Sequence, residues 1–324
     1  MSALRFDRYG PPADVLSLVP SDVTAPGEHE VQVEVLASPI NPMDLLLLRG
    51  LYPVPSDASN HAGAEGIARV CQLGASVASL RVGELVLLPI RFGSWRSRAN
   101  IEASRLCPLP DGVDIEQASM LRINPLTAEV LLDAFADLQP GDWLIHSPGS
   151  GSVGQYIVQL AKRRGFRTVS VVRRAERGAL VRELGGDRVE VDGVDLPRRV
   201  RAATGRAAIK LGLDGSGGPC AGRLAACLAP GSSLVTYGAM SRKPPQVGID
   251  QLVFRGIHVV GFWLLEWSRR AGSEVVDRRV VALAGQSLRS QIAACYPLSA
   301  WREALAHAAH RDREGRVLLL PSSS

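Results

Sequence analysis

The sequence is short of several things, and each shortage removes a class of function. No uninterrupted apolar stretch approaches the roughly 20 residues needed to cross a bilayer, so no membrane-spanning role is expected. The five cysteines, Cys71, Cys107, Cys220, Cys227 and Cys295, are scattered, with no C-x-x-C pair and no cysteine/histidine cluster at zinc-finger spacing. They read as small buried hydrophobes in a reducing compartment, not as a disulfide framework or a metal site. Lysine is nearly absent: Lys162, Lys210 and Lys243 are the only ones, and the net charge of +5 rests on arginines interspersed along the chain. Nucleic-acid binding needs basic residues gathered on one face, so no nucleic-acid partner is expected. Residues 1–10 read as folded sequence with charges inside it, and neither a signal nor a transit peptide is visible. The expected location is the cytoplasm, and only the tail, residues 321–324, reads as disordered.

What is present divides in two. A chain of 324 residues exceeds what one hydrophobic core ordinarily supports, so two domains are expected. The first third reads as all-β: "HEVQVEVLAS" (29–38) alternates, "EGIARVCQLG" (65–74) follows a glycine, and "GELVLLPI" (83–90) is a short apolar run. From about Ile115 the periodicity turns helical, with a break at Asn124-Pro125. Strand and helix patterns then alternate through "SSLVTYG" (232–238), which specifies a parallel sheet covered on both faces. After "GIHVVGFWLLEW" (256–267) come a helical stretch and a final strand, "GRVLLLP" (315–321), expected to complete the first domain. The expected boundaries are 1–118 with 270–324 for the β-rich domain and 119–269 for the doubly wound one.

The chemistry begins at "HSPGSGSVGQYIVQLAKRRG" (146–165). Gly149-Ser150-Gly151-Ser152-Val153-Gly154 fits G-x-G-x-x-G, a pattern with many false matches by itself. Here it follows an apolar strand, opens an amphipathic helix and starts a βαβ unit. In that setting the glycines let the backbone approach a pyrophosphate, whose charge meets free N–H groups at the helix N-terminus. The competing reading is an ordinary glycine-rich turn. The next strand, "RTVSVVRR", ends in Arg173-Arg174, where an NAD site usually places an acid for the ribose hydroxyls. Guanidinium suits a 2′-phosphate instead, so the expected cofactor is NADPH. Two solvated arginines closing a strand would look the same.

At this point the residues resemble a known group. A β domain, a nucleotide domain and a returning strand resemble the medium-chain dehydrogenase/reductase superfamily. "SPINPMDLLLLRGLYP" (38–53), "GSWRSRANI" (93–101), "INPLTA" (123–128), "GSVGQ" (151–155), "VVRR" (171–174), "VTYGAMSRKP" (235–244) and "GFWLLEW" (261–267) resemble one branch of it. That branch is the mitochondrial-type trans-2-enoyl-thioester reductases, and Y-G-x-M together with G-F-W-L-x-x-W is the specific part. The resemblance implies a Rossmann-type doubly wound parallel sheet plus a GroES-like β-barrel catalytic domain. Zinc alcohol dehydrogenases of the superfamily have a cysteine and a histidine where this chain has Asn41 and Ala64, and the cysteine-rich lobe of a structural zinc is missing here. No metal is therefore expected.

The resemblance further implies the reaction and its residues. Hydride from NADPH adds to the β-carbon of an enoyl thioester, carried on CoA or acyl carrier protein, and a proton reaches the α-carbon. The family's donor tyrosine carries over to Tyr52, and an ordinary phenol, with a pKa of about 10, is protonated at neutral pH as a donor must be. A tyrosine beside Pro53 in a loop also serves as surface packing. Asn41, Asn124 and Thr127 carry over as cofactor contacts, Thr127 on the carboxamide. Gly149, Ser150, Gly151, Ser152, Val153 and Gly154 line the pyrophosphate, and Arg173 with Arg174 meets the 2′-phosphate. Tyr237, Gly238, Ala239, Met240, Phe262, Trp263 and Leu264 flank the nicotinamide, and Arg316 stands where the family has a lysine. An aromatic cluster serving only to pack is the competing reading of Phe262, Trp263 and Trp267. The chain departs from the family in having Arg173-Arg174-Ala175 for an arginine-acid-arginine run. It also carries an unexpected His61, read as a loop histidine or as part of a proton relay. The alternatives are an NADPH-dependent quinone or enone oxidoreductase and a non-catalytic NADPH-binding protein. A homodimer is implied by the superfamily alone.

Overall fold

The structure is a computed structural model that describes residues 1–53, 60–310 and 312–321. The chain divides into two compact units, residues 1–123 with 274–324, and residues 124–273.

The first unit opens with an antiparallel pair, β1 (Ser2–Phe6) and β2 (Leu16–Pro20), whose register runs from Ser2 opposite Pro20 to Phe6 opposite Leu16. The long strand β3 (Glu30–Pro39) then pairs with β4 (Ile67–Leu73), which pairs with β5 (Leu85–Leu87). β6 (Arg98–Glu102) lies on β3, and β7 (Cys107–Pro108) on β5. All these pairings are antiparallel. Val31, Val33 and Val35 of β3, Ala68 and Val70 of β4, and Ile101 of β6 fill one core, as alternating side chains on half-buried strands should.

The second unit contains six parallel strands: β8 (Trp143–Ser147), β9 (Arg167–Val172), β10 (Arg188–Val191), β11 (Ile209–Asp214), β12 (Ser233–Thr236) and β13 (His258–Gly261). Their spatial order is β10-β9-β8-β11-β12-β13. The order reverses between β8 and β11, and in such sheets ligands bind outside the strands' carboxyl ends at that reversal. Period-2 alternation explains how both faces are filled. Val169 and Val171 of β9 join Leu196, Val200 and Leu224 from the helices Leu196–Ala203 and Gly218–Cys227. Val172 turns the other way to meet Val158 and Val181 of Ser152–Arg163 and Gly178–Glu183. The helix Asn124–Ala134 is buried at every position from Asn124 to Leu132.

The chain then returns to the first unit as β14 (Ile292–Pro297), the helix Trp301–Ala309 and β15 (Arg316–Leu320). β15 pairs parallel with β14 and antiparallel with β3, closing a seven-stranded sheet. Trp301, Leu305, Val317 and Leu319 pack with Leu4, Phe6, Ile40, Leu48 and Trp95 in a second core of that unit. Among the described residues, no helix is long and apolar enough to cross a membrane.

Candidate active site

In the second unit the glycine loop is shaped by contact rather than by unusual backbone angles. The helix Ser152–Arg163 starts after Gly151, which has φ −70° and no side chain to cap it. Its first turn closes with the Gln155 N–H donating to the Gly151 carbonyl at 2.8 Å. The N–H groups of Ser152, Val153 and Gly154 precede any intrahelical acceptor, the arrangement that receives an anion. A Cβ on Gly149 would stand 2.8 Å from the Ser170 Cβ, and one on Gly151 2.9 Å from Pro148 Cγ. Side chains there would fill the cradle, so the residues fit a pyrophosphate. Arg173 and Arg174 follow β9 directly and are exposed at its carboxyl end.

The other side of the strand reversal is built by a loop that carried no motif in the sequence. Asp214 ends β11, and its Oδ1 accepts the N–H groups of Ser216 and Gly217, both at 2.9 Å. Burial raises its pKa, against those bonds and one from the Thr236 hydroxyl. Ser216 Oγ meets Ser147 Oγ at 2.8 Å, which ties this loop to the end of β8. Residues 237–241 run alongside: Tyr237 N–H donates to the Asp214 carbonyl at 2.9 Å, and Ser241 N–H to the Ser216 carbonyl at 2.8 Å. The Tyr237 ring lies against Gly215, where a Cβ would stand 2.8 Å from the phenol oxygen. That hydroxyl is buried with no hydrogen-bond partner among the described residues, and burial beside Asp214 pushes its pKa up. A buried donor left unpaired near the carboxyl ends of the strands is available to a ligand. "LDGSGG" after a strand was the available signal for this loop, and it reads as an ordinary turn.

The remaining residues assigned to the nicotinamide side are spread in exposure. Met240 is 64% exposed and Trp263 40%, whereas Leu264 is buried. Phe262 stacks edge-on against Phe135 with ring centroids 5.8 Å apart, so packing is part of its role. Asn124 and Thr127 are buried on the first turns of their helix.

In the first unit, Asn41 caps the helix Pro42–Leu48, and the segment after that helix carries Tyr52. The six residues 54–59 between Pro53 and Asn60 lie outside the described residues, and with them part of the stretch that separates Tyr52 from His61. Asn41 is only 2% exposed and is held from inside the protein. Its N–H donates to Asp44 Oδ2 at 2.7 Å in a capping box, and its Nδ2 donates to Glu65 Oε1 at 3.0 Å. Arg316 is 3% exposed, and its guanidinium donates to the Ile40 carbonyl at 3.2 Å. The structure thus places Asn41 and Arg316 in one buried cluster with two acids, a grouping that has no signature in the sequence. Burial raises Asp44 to about 7 and Glu65 to about 8, while Arg316 pulls both down. His61 is lowered to about 4 by burial, then by Arg96 and Arg5, so it is neutral at pH 7. No group of three or more His, Cys, Asp and Glu side chains among the described residues stands at metal-holding distances.

The parallel sheet in 3-2-1-4-5-6 order, a glycine cradle at its reversal and a β-rich partner unit define a nucleotide-dependent medium-chain dehydrogenase/reductase. The sequence matches the alcohol dehydrogenase GroES-like domain over residues 27–111 and the zinc-binding dehydrogenase family over residues 152–278. It is 35% identical over 273 residues to the mitochondrial enoyl-[acyl-carrier-protein] reductase of Dictyostelium discoideum, a match that spans 82% of this chain and 78% of that protein. The rat protein of the same name is 30% identical over 313 residues, spanning 94% and 84%. The chain belongs to the enoyl-[acyl-carrier-protein] reductase family. Among solved structures it is similar to the mitochondrial 2-enoyl thioester reductase heterodimer Etr1p/Etr2p of Candida tropicalis, with TM-score 0.86, 25% identity and 98% and 99% of the two chains covered. It is also similar in shape to Escherichia coli quinone oxidoreductase complexed with NADPH, with TM-score 0.83, 26% identity and 99% and 100% covered.

Proposed function

We propose that the chain reduces the C=C bond of a trans-2-enoyl thioester, on CoA or acyl carrier protein, with NADPH as reductant and Tyr52 as proton donor. The observation that carries this reading is identity of 35% to an enoyl-[acyl-carrier-protein] reductase over most of the chain. Shape alone does not choose, since the quinone oxidoreductase is matched as fully.

NADPH, when bound, would supply the hydride that adds to the β-carbon. The N–H groups of Ser152, Val153 and Gly154 would hold the pyrophosphate and Arg173 and Arg174 the 2′-phosphate, so charge on the cofactor would be answered by dipole and guanidinium. The Tyr237 hydroxyl would donate to the cofactor as well. The electron pair displaced from the C=C bond gathers on the thioester oxygen, and hydroxyl donors stabilise it there. Tyr52 then gives its proton to the α-carbon, which leaves a saturated thioester, and the phenolate regains a proton from water. Buried Asn41 and Arg316 serve this step by holding the backbone that leads to Tyr52.

Acyl carrier protein as the carrier and a homodimer belong to the same proposal. A heterodimeric relative supports assembly in pairs, and the relatives' mitochondrial names weigh against the cytoplasm. Reduction of crotonyl-CoA by NADPH carrying deuterium at both C4 positions in ordinary water, then by NADPH in heavy water, tests the chemistry. The proposal expects deuterium at C3 in the first product and at C2 in the second; any other placement defeats it.

A further inference from the structure

Glu65 is 1% exposed, and both its carboxylate oxygens are engaged by the chain. Oε1 accepts the Asn41 amide at 3.0 Å, and Oε2 accepts the backbone N–H of Ile123 at 2.9 Å. Asn41 starts the helix that leads to Tyr52, and Ile123 is the last residue of the first unit, directly before Asn124. One carboxylate therefore fixes the origin of the proton-donor segment and the point where the chain leaves for the nucleotide-binding unit. We propose that Glu65 is a positioning residue for the reaction, setting Tyr52 and the Asn124–Thr127 turn through Asn41 and Ile123. The inference rests on the enoyl-thioester reading above.

The chemistry of the two contacts makes the assignment specific. Both partners are donors, so the group between them must accept twice. A buried neutral amide cannot: in Glu65→Gln, Oε1 can satisfy Ile123, but Nε2 then faces the Asn41 NH₂, donor against donor. Flipping the Asn41 amide would remove its oxygen from the capping box with Asp44. Asn41→Asp in the same chain resolves the conflict, because its carboxylate accepts from the new amide at position 65 with one oxygen and serves the box with the other. The double variant thus keeps one acid and one amide in the same buried cluster, with their positions exchanged. Arg316, which acts electrostatically on Glu65 and Asp44, still faces one acidic side chain from this pair.

The test compares the wild type, Glu65→Gln and Glu65→Gln/Asn41→Asp by kcat and KM for crotonyl-CoA, by NADPH affinity from nucleotide fluorescence, and by thermal unfolding. Glu65→Gln is expected to lose at least about tenfold in kcat, the cost of leaving one buried donor unsatisfied, and to bind NADPH more weakly. The double variant is expected to recover most of the lost kcat and the affinity. A Glu65→Gln protein that unfolds at lower temperature but keeps wild-type kcat and NADPH affinity when folded overturns the proposal. So does a double variant no better than Glu65→Gln, and if Glu65→Gln does not fold, an inactive but folded double variant does the same. Failure of the enoyl-thioester reading is separate: the wild type would then leave crotonyl-CoA untouched, and NADPH affinity would still report on the Ile123 contact.

Discussion

Gly154 sits so close to Pro148 that a Cβ on the glycine would stand 2.3 Å from the proline carbonyl oxygen, and 2.6 Å from that of Gly149. Neither obstacle is a flexible side-chain tip. Gly154→Ala must move the helix start or the loop, which overpacking places at about 1–3 kcal/mol. The expected outcome is NADPH affinity lower by about tenfold or more, since the same backbone presents the N–H groups. Gly285→Ala is the control: its Cβ would meet only the Ala282 carbonyl oxygen, at 3.7 Å. A fluorescence titration of both variants checks this.

Arg173→Ala should raise KM for NADPH by about 10–100-fold, the loss of a charged hydrogen bond worth about 1.5–3 kcal/mol. KM for NADH should stay put, because that nucleotide has no 2′-phosphate. Arg174→Ala should show the same preference in smaller measure. Steady-state kinetics with both nucleotides check the pair, and equal losses on both would remove the arginines from 2′-phosphate recognition.

Much of this architecture was legible before any coordinates. Alternation of apolar residues in 29–38 and 65–74 marked β3 and β4, and the run of strands and helices from Trp143 to Thr236 marked the parallel sheet. The break read at Asn124-Pro125 is where the helix Asn124–Ala134 begins, because proline suits a first turn and no interior turn. β14 and the helix Trp301–Ala309 went unread. "IAACYP" is short, and its residues are all half-buried, so no face stands out. In the site, spacing revealed the cradle at 149–154 but not the cluster of Asn41, Asp44, Glu65, Ile123 and Arg316. Asn41 and Asp44 share one capping box, but Glu65, Ile123 and Arg316 lie far from them in sequence, and only the pairing of β3 with β15 brings Arg316 to Ile40. Local pattern carries no information about such non-local polar contacts.

Two buried groups of residues should respond to pH in opposite directions. His146 is buried in β8, its Nε2 2.7 Å from the Ser170 hydroxyl, and burial lowers it from 6.5 to about 3. Its unfolded form takes up a proton first, so the stability it gives is present above about pH 6.5 and is lost as pH falls toward 3. Asp44 and Glu65 are raised, so the native state holds protons that the unfolded chain has released. Their contribution is fullest below about pH 4 and declines as pH rises through 7 and 8. Hydrogen exchange read at the elements around His146 and around Asp44 checks both slopes. Acidification from pH 7 should deprotect β8 and β9, and alkalinisation from about pH 6 to about pH 9 should deprotect the helix Pro42–Leu48.

Tyr52→Phe should lower kcat for an enoyl thioester by about 10²–10⁴-fold, the usual worth of a placed general acid. NADPH affinity should be unchanged, because the phenol is assigned to the substrate's α-carbon and not to the nucleotide. Parallel turnover and binding measurements check this, and unchanged kcat would remove Tyr52 from the mechanism.

The central claim is the substrate, and NADPH oxidation followed by absorbance, with crotonyl-CoA, a longer trans-2-enoyl-CoA and a simple quinone offered in parallel and NADH as control, tests it most directly. The account predicts turnover of the enoyl thioesters with NADPH, with the quinone and NADH far behind. Turnover of the quinone alone would contradict it and make the shared motifs a record of ancestry.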